Sequence, residues 1–175
     1  FNLQGLFVYD AGPAFHIRGA GLRRKEGEIM YERILVPLDG SARAEKILPH
    51  VEEMALKHSS KVILLQVVEP IVTVSSADVY IPGNDSFTAK LEQAHVYLNG
   101  IKNKFQEKRI GVESRVVSSG IVDAICEAAE TEKVDMIAMA SHGRTGAGRV
   151  FYGSVAAGVL HRIDRPLLII RSRAD

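Results

Sequence analysis

From residue 33 onward, apolar positions follow two alternating rhythms. Short, largely apolar runs stand at 33–37, 61–68, 134–139 and 167–171, and 112–117 reads as a further strand. Runs of this length, rich in Val and Ile, read as strands buried on both faces of a parallel sheet. Between them lie stripes of helical period. Ser41 can cap a helix over 42–58 whose inward face is Ala44, Ile47, Val51, Met54 and Ala55. Pro49 falls inside that stripe and should kink it or loosen one turn. Phe87, Leu91, Ala94, Leu98, Ile101 and Phe105 make a second stripe over 87–108, which Gly111 ends. Ile121, Ile125 and Ala128 mark a helix over 121–132, and Val155, Val159 and Ile163 mark one over 154–162. Residues 69–86 form the longest irregular stretch, of the length that functional lids or disordered loops have.

Strand and helix in strict alternation predict an α/β domain with a parallel sheet and right-handed crossovers. In such sheets ligands settle beyond the carboxyl ends of the strands, where the strand order reverses. Three segments should converge there: Pro37, Leu38 and Asp39 after the first strand, Val67 and Val68 after the second, and a glycine-rich run after the fourth.

That run, ASHGRTGAGRVFYGSV at 140–155, is the most distinctive stretch of the chain. A strand that opens into glycines and then a helix N-terminus suits an anion, because free backbone N–H groups and the helix dipole face one spot. The anion most often met in that geometry is a nucleotide phosphate. A plain surface loop is the alternative. It is not a phosphate-binding P-loop, since Arg149 and Val150 follow Gly148 where Lys and Ser or Thr are required. It is not a dinucleotide fingerprint, since Phe151 stands where a third Gly or Ala belongs.

Residues 1–30 differ. They hold no sustained period and carry a small basic cluster, Arg23, Arg24 and Lys25. The functional start is expected near Met30. The preceding segment then reads as an N-terminal arm or an added extension, ordered by a partner subunit or a neighbouring molecule. No secretory signal pattern is present in it.

Composition narrows the function classes. The formal net charge is +1 and the basic residues are scattered, which speaks against nucleic acid and membrane surfaces as partners. No apolar run is long enough to span a bilayer. The single cysteine, Cys126, excludes an internal disulfide, fits a reducing compartment, and reads as a buried inert thiol in a helix. The histidines other than His142 (His16, His50, His58, His95 and His161) are isolated and expected to be exposed. No spacing suits zinc.

With these residues in view, the chain from 31 to 171 resembles the universal stress protein family of the UspA type, in its ATP-binding branch. The resemblance rests on ILVPLDGS at 34–41, ILLQVVEP at 63–70, MASHGRTG at 139–146, GSVA at 153–156 and RPLLIIR at 165–171. It implies a single Rossmann-like domain of the adenine nucleotide alpha hydrolase kind over 31–175. The sheet would be five-stranded and parallel, in the order 3-2-1-4-5, with helices on both faces. The branch's spacing of glycine, two residues, glycine, nine residues, then glycine and Ser or Thr is met at Gly143, Gly153 and Ser154, while Ala140 replaces the first glycine. One added methyl there is expected to be tolerated where φ is negative.

Site roles follow from the resemblance. Gly143 and Gly153 would let backbone N–H groups approach the phosphates, with Gly146 in the same loop. Ser154 would donate to a phosphate or simply cap its helix, with Val155 beside it. Asp39 would accept from the base or ribose, or serve only an Asx-turn before Gly40. Val67 would line the adenine pocket. Arg144, His142, Met139, Ala140, Pro37 and Leu38 complete the expected site. Magnesium would be held mainly by nucleotide and water.

The resemblance also implies a cytoplasmic homodimer, paired through strand 167–171. A bare apolar edge there is an association hazard. The alternative is an edge blunted by Arg165 and Arg171. Three functions stay open: an ATP-binding regulatory module, a slow ATP hydrolase or phosphotransferase, and a nucleotide-free stress protein acting through its dimer surface. No constellation of residues supports efficient catalysis. The protein partner is not legible.

Overall fold

The computed structural model describes residues 6–9, 31–70, 73–74, 79–80, 84–141 and 153–170. Its elements in chain order are β1 (Leu6–Tyr9), β2 (Arg33–Leu38), α1 (Ala42–Glu45), α2 (Leu48–His58), β3 (Lys61–Val67), β4 (Thr73–Val74) and β5 (Val79–Tyr80). They continue with α3 (Asn84–Glu107), β6 (Val112–Val117), α4 (Ile121–Thr131), β7 (Met136–Ala140), α5 (Ser154–Leu160) and β8 (Leu167–Ile170).

Five strands run parallel in the spatial order β6-β3-β2-β7-β8, the 3-2-1-4-5 order expected. Strand alternation splits the core into two layers. Ile34, Val36, Val62, Leu64, Met136 and Ala138 face α1, α2 and α3, where Ala44, Ile47, Val51, Ala55, Leu98, Ile101 and Phe105 meet them. Leu35, Ile63, Leu65, Ile137, Met139, Leu167 and Ile169 face α4 and α5, against Ile125, Ala129, Ala156 and Val159. The chain therefore winds outward from β2 to β3 and β6 on one face. It then crosses back to β7 and β8 on the other, so the order reverses between β2 and β7.

Local differences from the expectation have physical causes. Pro49 does not kink one long helix. It stands in the first turn of a new one, α2, where its missing N–H costs nothing, and α1 ends after a single turn. The strand expected at 134–139 runs from Met136 to Ala140, because the Asp135 carboxylate turns back to accept from the backbone N–H groups of Glu32 (2.7 Å) and Arg33 (2.8 Å). Within the 69–86 stretch, β4 and β5 pair antiparallel, Thr73 with Tyr80 and Val74 with Val79.

The largest difference lies at the sheet edge. Leu6–Tyr9, within the segment that shows no period, forms β1 and pairs antiparallel with β8, from Leu6 against Ile170 to Tyr9 against Leu167. The sheet is six-stranded. The edge expected to await a second subunit is covered by the same chain, and the contact that orders this part of the arm is intramolecular.

Candidate functional site

Two tight pieces of local structure stand past the carboxyl ends of β2 and β7, at the reversal of strand order. The first is the turn after β2. Gly40 takes φ +80°, a conformation that favours glycine. Asp39 Oδ1 accepts from the Ser41 N–H (3.0 Å) and from Ser41 Oγ (2.6 Å). Ser41 Oγ in turn accepts from the Ala44 N–H (3.1 Å) as the N-cap of α1. Asp39 thus forms the Asx-turn, and its half-buried carboxylate is fixed just past the end of β2.

The second piece closes the glycine-rich run. Ser141, only 3% exposed, donates its N–H to Ile170 O (2.8 Å), and its carbonyl accepts the Gly153 N–H (2.7 Å). Ser141 and Gly153 therefore meet at the top of β7 beside β8. His142, Gly143, Arg144 and Gly146 lie outside the described residues. Gly153 is the N-cap of α5 and Ser154 its first helical residue, exposed, so the plain capping role considered for Ser154 belongs to Gly153. The Gly153 N–H is already committed to Ser141. The donors of the first turn without intrahelical partners are the N–H groups of Ser154, Val155 and Ala156.

The other expected residues among those described stand at strand ends. Pro37 and Leu38 end β2, and Val67 ends β3, half-buried. Met139 and Ala140 are buried at the end of β7. Ala140 has no positive φ, so the methyl it carries in place of glycine brings no backbone strain.

Two buried polar side chains were missed. Gln66 Oε1 and Tyr97 Oη are buried and make no hydrogen bond among the described residues. The Gln66 amide nitrogen lies under the Asp39 turn, 3.7 Å from where a Cβ on Gly40 would sit. Burial, then the nearby Glu45 carboxylate and the Asp39 charge, push the Tyr97 hydroxyl above the usual tyrosine range, so it stays a neutral donor. A glutamine inside the apolar run KVILLQV was the available signal.

Cys126 is half-buried on α4, and burial raises its thiol above the ordinary value, in keeping with an unreactive group. His95 and His161 are exposed as expected. His50 and His58 are half-buried, and the His58 ring packs edge-on against Tyr31 at 5.8 Å. Among the described residues no helix is long and apolar enough to cross a membrane.

Comparison with known proteins gives the geometry its context. The family model described as the universal stress protein family matches residues 30–171. The chain is 28% identical to universal stress protein MJ0577 of Methanocaldococcus jannaschii over 159 residues, covering 83% of this chain and 98% of that protein. The solved structure of MJ0577 superposes with a TM-score of 0.74 at 29% identity, over 84% of this chain and all of that one. A universal stress protein in complex with cAMP matches at TM-score 0.61 and 20% identity, over 83% of this chain and all of that one. The Archaeoglobus fulgidus universal stress protein in complex with dAMP matches at 0.56 and 17%, over 81% and 99%. At these last two identities the likeness is one of fold.

Proposed function

The chain belongs to the universal stress protein family, and we propose that it is a nucleotide-binding regulatory module of the stress response, taking ATP and working as a cytoplasmic homodimer. The observation that carries this reading is the convergence at the β2–β7 reversal. There the fixed Asp39 carboxylate follows β2, Val67 ends β3 and the first turn of α5 follows β7, the side of the sheet where ligands settle in folds of this order. Two proteins of the same fold hold adenine mononucleotides, cAMP and dAMP.

The parts fit an adenine nucleotide in orientation. Asp39 accepts from base or ribose, and Val67 and Leu38 supply apolar wall. The Ser154 and Val155 N–H groups and the Ser154 hydroxyl would serve the phosphates, and Gly143, Gly146, Arg144 and His142, which lie outside the described residues, would by the family resemblance add donors and charge. Magnesium brings charge neutralisation on the phosphates, with nucleotide and water as its main ligands. Asp39 is engaged by Ser41 and acts as an orienting acceptor, so the reading is one of binding and signalling rather than turnover. The dimer would form through β8 once β1 leaves that edge.

Calorimetric titration of Mg-ATP into the nucleotide-stripped chain tests the reading. Saturable binding near one per subunit is expected. Gly153→Val, with φ −63° and ψ 156° open to any residue, should weaken it at least ~10-fold, about 1.4 kcal/mol. Absence of heat at several temperatures, with no competition against a fluorescent ATP analogue, would overturn it.

A further inference from the structure

The structure assigns residues 6–9 a role beyond filling out the sheet: we propose that β1 is a built-in plug that competes with a second copy of this chain for the β8 edge. The inference rests on the edge-pairing reading above and adds the device that controls it.

Four observations carry it. First, β8 is Leu-Leu-Ile-Ile, and all four residues are buried with β1 in place. Such a strand, uncovered, is a template for another chain. Second, β8 lacks the charged guard considered for it at Arg165. The Arg165 side chain is 15% exposed and turned away to the end of α4, donating to Ala129 O (2.6 Å) and pairing with Glu130 (2.5 Å). Third, β1 binds antiparallel, the one relation in which two identical β8 strands can pair about a twofold axis. Plug and second copy therefore use the same row of β8 backbone groups and exclude each other. Fourth, β1 is short. It is held in the sheet through one neighbour only, and residues 10–32 separate it from β2.

The magnitude of the effect follows from population arithmetic. Both copies must be open to pair, so the apparent dissociation constant is the intrinsic one divided by the square of the open fraction. A plug closed about ten to one would weaken dimerisation about 100-fold. Tethering helps the plug, since a strand on the same chain acts at an effective concentration on the order of millimolar.

The test compares three full-length proteins by sedimentation velocity over a wide concentration range. Phe7→Pro with Val8→Pro removes β1 backbone donors and unseats the plug. Val8→Cys with Leu168→Cys places thiols at directly paired positions, so oxidation locks it and reductant releases it. The expected order of dimer affinity is unplugged above unaltered above locked, with at least a tenfold gap at the first step and loss of dimer at the second, restored by reductant. Equal dimerisation of all three, the locked form included, would overturn the plug and place the dimer surface elsewhere. Monomers throughout, with the unplugged protein still folded by circular dichroism, would overturn the edge-pairing reading and the plug with it.

Discussion

The two ends of the parallel sheet are built on opposite plans. At the amino ends of the strands, polar groups are spent on one another. Asp135 accepts from the backbone of Glu32 and Arg33, and Arg33 binds the Glu132 carbonyl (2.5 Å) and carboxylate (2.7 Å). Arg115 joins Glu132 (2.6 Å), and Lys61 joins Glu113 (2.6 Å). At the carboxyl ends the polar groups serve single turns: Asp39 holds Ser41, and α5 opens with no side-chain cap. One end ties strands to one another, and the other is the end at which the nucleotide is proposed to sit. Changes at the amino end should therefore cost stability and spare binding, and changes at the carboxyl end should do the reverse.

The strongest way to break that contrast is Asp135→Ala. One carboxylate oxygen serves two backbone N–H groups that tie the start of β2 to the start of β7. Its loss should cost about 2–4 kcal/mol in urea unfolding, since hydrogen bonds to a charged acceptor are the strong ones. ATP affinity measured on the folded fraction should stay within about twofold, the level at which distant sites are independent. A binding loss as large as that of Gly153→Val would show that the ends are coupled and the contrast false.

Ser41→Ala sits on the boundary and sharpens it. The Ser41 hydroxyl both caps α1 and fixes Asp39. Cap loss should cost about 1 kcal/mol of stability. Releasing Asp39 should weaken nucleotide binding by a further several-fold, and Ser41→Thr should restore both, because threonine keeps the hydroxyl. Stability loss without any change in affinity would remove Asp39 from the site and leave it a turn residue.

Much of this plan was legible in the chain, and the exceptions share a cause. The inner parallel strands showed as largely apolar runs because both of their faces are buried, while the edge strand β6, with Glu113, Ser114 and Arg115, is only partly covered. The burial of Ala44, Val51, Leu98, Ile101 and Ile125 followed from helical period alone, while the layer each joins did not. The Asp39-Gly40-Ser41 turn was readable because each residue type has one local use there. Leu6–Tyr9 was not readable, since four residues establish no period and the partner, β8, lies at the other end of the chain. The same holds for Arg165, whose position before β8 suggested a guard on the edge while its bonds run to α4. Ser154 lost the cap to Gly153 by one residue, a difference set by backbone angles that sequence does not carry. The glycine-rich run showed as a candidate anion site, but the Ser141–Gly153 closure depends on β7 and α5 meeting in space.

The smallest effect tests how far the polar end depends on charge itself. The hydrogen bond from Lys61, with the Lys61 and Arg115 charges, holds the Glu113 carboxyl below its ordinary value. A carboxyl whose folded pKa is depressed binds a proton more readily when unfolded. Its contribution is therefore fully present above the unfolded value, near 4.5, and is lost as pH falls through the folded one. Both side chains are more than a third exposed, so solvent screening keeps the pair below about 1 kcal/mol. Glu113→Gln should lower unfolding free energy by that small amount at neutral pH. The gap from the unaltered chain should narrow as pH drops below about 4.5, and should shrink at 1 M salt, where the Debye length is about 3 Å. A gap that is constant from neutral pH to about pH 3 would mean that packing of the side-chain stem, not its charge, is what position 113 supplies. In that case the ion pairs at the amino ends could not be grouped with the Asp135 bonds as one stabilising device. The bonds of Asp135 to backbone would carry that end of the sheet alone.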